Sequence, residues 1–205
     1  MNKYELLKRD IKYKAHRVKV YEDTLVRPDG KKVYYDFVEN KNGSGVLLVD
    51  KDEKLLFVKQ YRNSINAYDI EIPAGCAEDF DDNSIEDKNK TVDDYKQEDY
   101  LNPDNPFYKC AIREAQEETG LIPTKLHFVN YIIAAAGLFS ERTAVYIGMD
   151  LEEGSINRDE DEFIEIIKLS PEAAMDYISK GMINDSKTII AVQAYMLLRD
   201  EKNIN

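Results

Sequence analysis

The chain has 205 residues, 43% hydrophobic and 33% charged, with 9 Gly and 6 Pro, which excludes collagen-like, low-complexity and wholly disordered classes and fits one globular domain with extensions. A formal net charge of −12 repels nucleic-acid backbones and anionic lipid surfaces, so neither is an expected partner. No apolar run approaches the roughly 18 residues of a membrane span, and the opening MNKYELLKRDIKYK lacks the apolar core of a secretory leader, so a cytoplasmic location is the expectation.

Up to residue 75 the chain reads as antiparallel strands. Residues 16–25 alternate, Arg27-Pro28-Asp29-Gly30 is a turn with proline preset for its first central position, and 32–39 return as a second strand. Residues 45–49, a polar turn at 50–53, and 54–61 make another pair, followed by a strand over 67–72 that ends at Pro73-Ala74-Gly75. Between Glu78 and Asp104 stand eleven Asp and Glu against three Lys. With few aliphatics and no sustained period this stretch cannot offset its own ordering entropy, and it predicts an acidic surface insertion over about 79–104. A passive solvated loop is its plain reading, and a lid or partner-binding segment the alternative.

Asn105-Pro106 marks a helix start, with Asn105 as N-cap and proline at the first helical position, and Gly120 marks its end. Strands at 125–134, 143–150 and 163–169 follow, then helices over 170–180 and 185–202 separated by Gly181. The order predicts an α+β fold in which helices cover a mixed sheet. Cys76 and Cys110 have no metal-ligand spacing and read as reduced thiols, while His16 and His127 read as ordinary strand histidines. A histidine-based triad has almost no material here.

The helix from Pro106 carries the densest chemistry. Phe107, Ala111 and Ala115 form a slim apolar stripe suited to close packing on a sheet, and Glu114, Glu117 and Glu118 share the next face. Clustered carboxylates near a helix C-terminus repel each other and the macrodipole, so a cation should accompany them. Arg113 can pair with Glu117 at i+4, which leaves Glu114 and Glu118 for a hard divalent cation. By itself the helix is equally readable as a solvated acidic end.

The sequence Arg113-Glu114-Ala115-Gln116-Glu117-Glu118-Thr119-Gly120-Leu121 resembles the second half of the Nudix box, and Glu71-Ile72-Pro73-Ala74-Gly75 resembles its start in the ADP-ribose pyrophosphatase branch. Counterparts continue at Gln60-Tyr61-Arg62, at 137–142, at Asp159-Glu160-Asp161-Glu162 and at 181–190. Two departures stand out: 24 extra residues interrupt the box between Gly75 and Arg113, and its first glutamate is lost, Asp81 and Asn105 being the nearest positions. Ala136-Gly137 also stands where relatives usually have Pro-Gly.

The resemblance implies the Nudix fold, an α/β/α sandwich whose mixed sheet is flanked by helices, with an N-terminal antiparallel β extension. It divides the chain into residues 1–40, a dimerisation element, and 41–205, the hydrolase domain with its insertion. It implies hydrolysis of a nucleoside diphosphate sugar, ADP-ribose to AMP and ribose 5-phosphate, with another nucleoside diphosphate compound or a catalytically weak binding module as alternatives. Mg²⁺, with Mn²⁺ as substitute, would be held by Glu114, Glu117, Glu118, Glu162 and the Ala74 carbonyl. Glu160 would be the base for the attacking water, with the register among residues 159–162 left open, and Arg113 would orient Glu117. Arg62, Glu71, Glu141 and Arg142 would contact substrate, although a structural salt bridge suits Arg62 almost as well. Tyr61 and Phe139 could stack a base, core packing being the safer reading, and Cys76 is merely close to the site. A homodimer is expected, each substrate site taking residues from both chains.

Overall fold

The structure, a computed structural model, describes residues 3–16, 18–77, 96–157 and 163–200. The chain forms two compact units, one of residues Met1–Asn42 with Ile133–Arg142 and the other of Gly43–Ile132 with Thr143–Asn205.

The first unit is a three-stranded antiparallel sheet of β1 (Glu5–Lys14), β2 (Lys19–Val26) and β3 (Lys32–Glu39) in the order β1-β2-β3. The β2–β3 hairpin is the one the sequence predicts, with Gly30 at φ 82° in its turn, a conformation that glycine adopts without a Cβ penalty. No alternation announces β1, because its residues are exposed almost throughout. His16 stands between β1 and β2 rather than within a strand. Arg9 joins the sheet across strands: it pairs in a fork with buried Asp23 at 2.7 and 2.6 Å, and its guanidinium lies 4.6 Å from the Phe37 ring centroid.

The second unit is a mixed seven-stranded sheet between helices. Its strands are β4 (Gly43–Val49), β5 (Leu55–Arg62), β6 (Ala67–Glu71), β7 (Ala74–Cys76), β8 (Leu121–Ile132), β9 (Thr143–Glu153) and β10 (Glu165–Leu169). The order is β10-β5-β4-β9-β8, with β6 on β5 and β7 on β4, and among the described residues of this sheet only β4–β9 is parallel. β8 starts at Leu121, ahead of the alternating run, and carries Pro123, which an edge strand tolerates. Its helices are α1 (Gln97–Tyr100), α2 (Pro106–Thr119), α3 (Pro171–Ser179) and α4 (Ser186–Asp200).

Every residue of β4 is buried, as a strand covered on both faces requires. Leu47 and Val49 point into a core shared with Phe57, Ile147, Ala174, Ala191 and Tyr195, beneath α3 and α4. Val46 and Leu48 point the other way, toward Phe107, Ala111 and Ala115 of α2. This is the helix–sheet–helix sandwich expected. No helix among the described residues is long and apolar enough to cross a membrane.

The acidic stretch ends differently from the expectation. Residues 96–104 do not form a passive surface loop: α1 seats Tyr100, 2% exposed, in the α2-side core. There its ring stacks on Phe128 at 4.2 Å between centroids, and the Tyr146 hydroxyl donates to its carbonyl at 2.9 Å. Charge averaged over the segment hides Tyr100, whose burial supplies apolar area.

Candidate active site

Helix α2 is fixed at both ends by the residues that mark it in the sequence. Asn105 accepts a hydrogen bond from the Phe107 amide at 2.9 Å, Pro106 opens the first turn, and Gly120 closes the helix at φ 75°. Ala111 and Ala115 are fully buried, so α2 lies close on the sheet. That approach carries Glu114 and Glu118, 8% and 2% exposed, inward with the alanine stripe.

Opposite them runs the β7 segment. An added methyl at Gly75 would collide with the Glu114 carboxylate, and one at Gly43 on the paired strand would collide with the Gly75 carbonyl. The two glycines therefore let backbone and carboxylate meet directly. The Cys110 thiol donates to the Gly75 carbonyl at 3.3 Å. Burial first, and then the Glu114 charge, push this thiol up to about 11, so it stays protonated near neutrality.

Arg113 supplies the cation that the acidic cluster calls for. Its Nη1 donates to Glu117 Oε2 at 2.5 Å, and its Nη2 lies 2.7 Å from Glu114 Oε1 and donates to the Cys76 carbonyl at 2.8 Å. Burial would lower its pKa, but Glu114 and Glu117 outweigh that and raise it. One guanidinium thus ties two carboxylates of α2 to the loop that bears Gly75.

A second group of charges sits at the end of β6. Glu71, 3% exposed, accepts a fork from Arg62 on β5, Nε at 2.5 Å and Nη2 at 3.0 Å. Lys187 on α4 donates to Glu71 Oε2 at 2.6 Å and to Asp185 at 2.9 Å. Burial alone would raise the Glu71 pKa, but the Arg62 hydrogen bonds and the Lys187 charge hold it below the ordinary carboxylate value. Arg62 also experiences the Glu118 charge, which couples this group to the α2 carboxylates.

The residues singled out in the sequence thus divide. Ala74, Arg113, Glu114, Glu117 and Glu118 stand on β7 and α2, and Arg62 and Glu71 form an ion pair beside them. Glu141 and Arg142 belong to the first unit, where Glu141 accepts from Asn40 Nδ2 at 2.5 Å and the Arg142 amide donates to Asn42 at 2.9 Å. Glu160 and Glu162 lie outside the described residues. Among the described residues no group of three or more His, Cys, Asp or Glu side chains could hold a metal ion as it stands. Arg113 is the cation between Glu114 and Glu117. The donor chemistry nevertheless fits a hard divalent cation: carboxylate oxygens beside a backbone segment kept free of side chains by Gly75. The contacts of Lys187, Asp185 and Cys110 with the site emerge only from the structure; the sequence marks the first two by the 181–190 resemblance without a role and Cys110 as an ordinary thiol.

The NUDIX domain family model matches residues 39–191, most of the chain. The chain belongs to the NUDIX domain family and is a Nudix hydrolase, ADP-ribose pyrophosphatase-like in its sequence. It is 28% identical over 185 residues to the methanol dehydrogenase activator of Bacillus methanolicus and 27% identical over 185 residues to the ADP-ribose pyrophosphatase of Bacillus subtilis (strain 168). Each alignment covers 89% of this chain and 86% of the relative. The GDP-mannose pyrophosphatase of Cronobacter sakazakii (strain ATCC BAA-894) is 25% identical over 182 residues, 84% of each chain. The crystal structure of an ADP compounds hydrolase superposes with a TM-score of 0.76 at 18% identity, covering 100% of this chain and 98% of that one, which shows the shared fold.

Proposed function

We propose that this hydrolase splits the pyrophosphate bond of ADP-ribose, adding water to give AMP and ribose 5-phosphate, with Mg²⁺ or Mn²⁺ as cofactor. The observation that carries the reading is the joining of Glu114, Glu117 and the Gly75 loop by Arg113, which gathers the box residues despite the interruption of the box. Glu114, Glu117, Glu118 and the Ala74 carbonyl would hold the metal, with Glu162 as a further ligand. Bound there, a divalent cation neutralises developing phosphoryl charge and lowers the pKa of water. Arg113 keeps Glu117 in place through the i+4 pair. Glu160 takes the proton of the attacking water. Arg62, half-exposed and always charged, offers a planar donor group to the diphosphate, with Glu71 fixing its orientation. Glu141 and Arg142 contact the remainder of the substrate.

The protein is proposed to act as a cytoplasmic homodimer, residues 1–40 forming the dimerisation element and 41–205 the hydrolase domain. The free thiols Cys76 and Cys110 suit a reducing compartment. The exposed Leu6, Leu7, Ile11, Tyr13, Tyr34 and Tyr35 of the three-stranded sheet supply apolar area for a partner. Sedimentation at micromolar concentration should give twice the mass of one chain; a monomer would refute this part.

A second reading, a ligand-binding module with weak turnover, is favoured by the lost first glutamate of the box and by the similarity to a methanol dehydrogenase activator. The intact Arg113, Glu114, Glu117 and Glu118 favour the enzyme. Initial rates on ADP-ribose, GDP-mannose and a dinucleotide polyphosphate, with Mg²⁺ and with a chelator, decide between them. Chelator-sensitive turnover highest on ADP-ribose supports the proposal; preference for GDP-mannose moves the substrate, and binding without turnover selects the module.

A further inference from the structure

The ion cluster at Glu71 joins the β5–β6 pair to the start of α4, 116 residues away, and is graded in exposure. Asp185 and Lys187 have side chains 16% exposed, Glu71 4% and Arg62 39%. The four charges alternate in sign and run from the start of α4 to a half-open surface, so that Arg62 is the only member well placed to meet a ligand. The α4 end is fixed. Asp185 Oδ2 accepts from the Thr188 amide at 2.9 Å and from its hydroxyl at 2.6 Å, and the same hydroxyl accepts from the Ile72 amide at 2.9 Å. Gly45 lies against this corner, since a methyl there would lie 2.9 Å from Ile72 Cδ1 and would touch the Lys187 stem at 3.4 Å.

Burying one cation between two anions behind a half-exposed arginine is an inefficient way to gain stability, because desolvation consumes most of the attraction. What such a cluster does provide is a fixed direction. Glu71 uses both carboxylate oxygens on the Nε–Nη2 edge of Arg62, which turns the Nη1 corner away from it. Lys187 holds one of those same oxygens, Oε2, and so sets the plane in which the fork can form.

We infer that Lys187, held by Asp185, is a positioning residue for substrate binding: through Glu71 it aims the Arg62 guanidinium at the diphosphate of the substrate. The inference rests on the hydrolase reading above and adds residues of α4 to it. Lys187 itself contacts no phosphate; its cation is consumed by Glu71 and Asp185.

The test is a double-mutant cycle on kcat and KM for ADP-ribose with Mg²⁺, using the full chain, R62M, K187M and the R62M/K187M pair. Each single variant should raise KM about tenfold with kcat within about twofold, and the pair should be no worse than R62M alone. K187R, which restores a cation, should recover most of the loss. Should K187M not fold, D185N replaces it in the cycle, because asparagine caps a helix as well as aspartate while withdrawing the charge from Lys187. Losses that multiply in the pair, or a fall in melting temperature without a change in KM, would overturn the inference while leaving the hydrolase intact. Should the full chain show no turnover, the same four proteins are compared by calorimetric binding of ADP-ribose, with the same pattern expected in Kd. Neither turnover nor binding by the full chain would overturn the inference and the hydrolase reading together.

Discussion

Replacing Gly75 by alanine tests the closest approach in the site. The new methyl would fall within contact distance of both Glu114 oxygens, 2.7 Å from Oε2 and nearer still to Oε1. An ordinary contact begins at about 3.5 Å, so the nearer carboxylate oxygen must retreat by roughly 1.5 Å. That retreat opens the 2.7 Å pairing of Glu114 with Arg113 and pulls Arg113 from the Cys76 carbonyl. Misplacement of about 1 Å in a catalytic group costs on the order of 100-fold in rate. Overpacking should destabilise the fold by only about 1–3 kcal/mol, a few degrees in melting temperature for a chain of this size. The assay is kcat/KM for ADP-ribose beside a thermal melt. A folded Gly75→Ala protein with unchanged kcat/KM would refute the claim that the Gly75–Glu114 contact belongs to the catalytic centre.

Three further outcomes follow from the packing and the charges. Tyr100→Ala removes a ring stacked in the α2-side core and should cost about 3–5 kcal/mol, lowering the melting temperature by about 10 °C; no change would mean that α1 is not an anchor. Glu71 has a lowered folded pKa, so its contribution is complete above the unfolded carboxylate pKa of about 4.3 and is lost as pH falls through the lower folded value. Glu71→Gln should therefore be less stable than the parent at pH 7 by about 3–5 kcal/mol, with the gap closing below about pH 4 in acid melts. Among the thiols, exposed Cys76 should react with a disulfide reagent at pH 8 in the native protein, and buried Cys110, at about 11, only after unfolding; two fast thiols would contradict the burial of Cys110.

Local signals made much of this molecule legible in its sequence. Asn105-Pro106 and Gly120 bound α2 because capping is a short-range effect, and Arg113 meets Glu117 because i+4 neighbours share a helix face. The continuous burial of β4 follows its apolar run. What escaped reading depends on distance in the chain or on the absence of a pattern. Lys187 reaches Glu71 across 116 residues, and no local feature of either announces the other. Tyr100 is buried within an acidic stretch, where composition argues against a core residue. β1 is exposed on both faces and so leaves no alternation to read. The Arg62–Glu71 pair shows a third case: both residues were legible as site candidates, but their mutual fork is a product of the β5–β6 pairing.

The proposed hydrolytic centre is the set of inward carboxylates of α2, of which Glu118 is the most buried. The direct measurement is AMP release from ADP-ribose with Mg²⁺ by the full chain and by its Glu118→Gln variant, with a thermal melt to show that both are folded. The expected result is chelator-sensitive AMP release by the parent and a loss of about 100-fold or more in the variant. Equal turnover by the two folded proteins would contradict it.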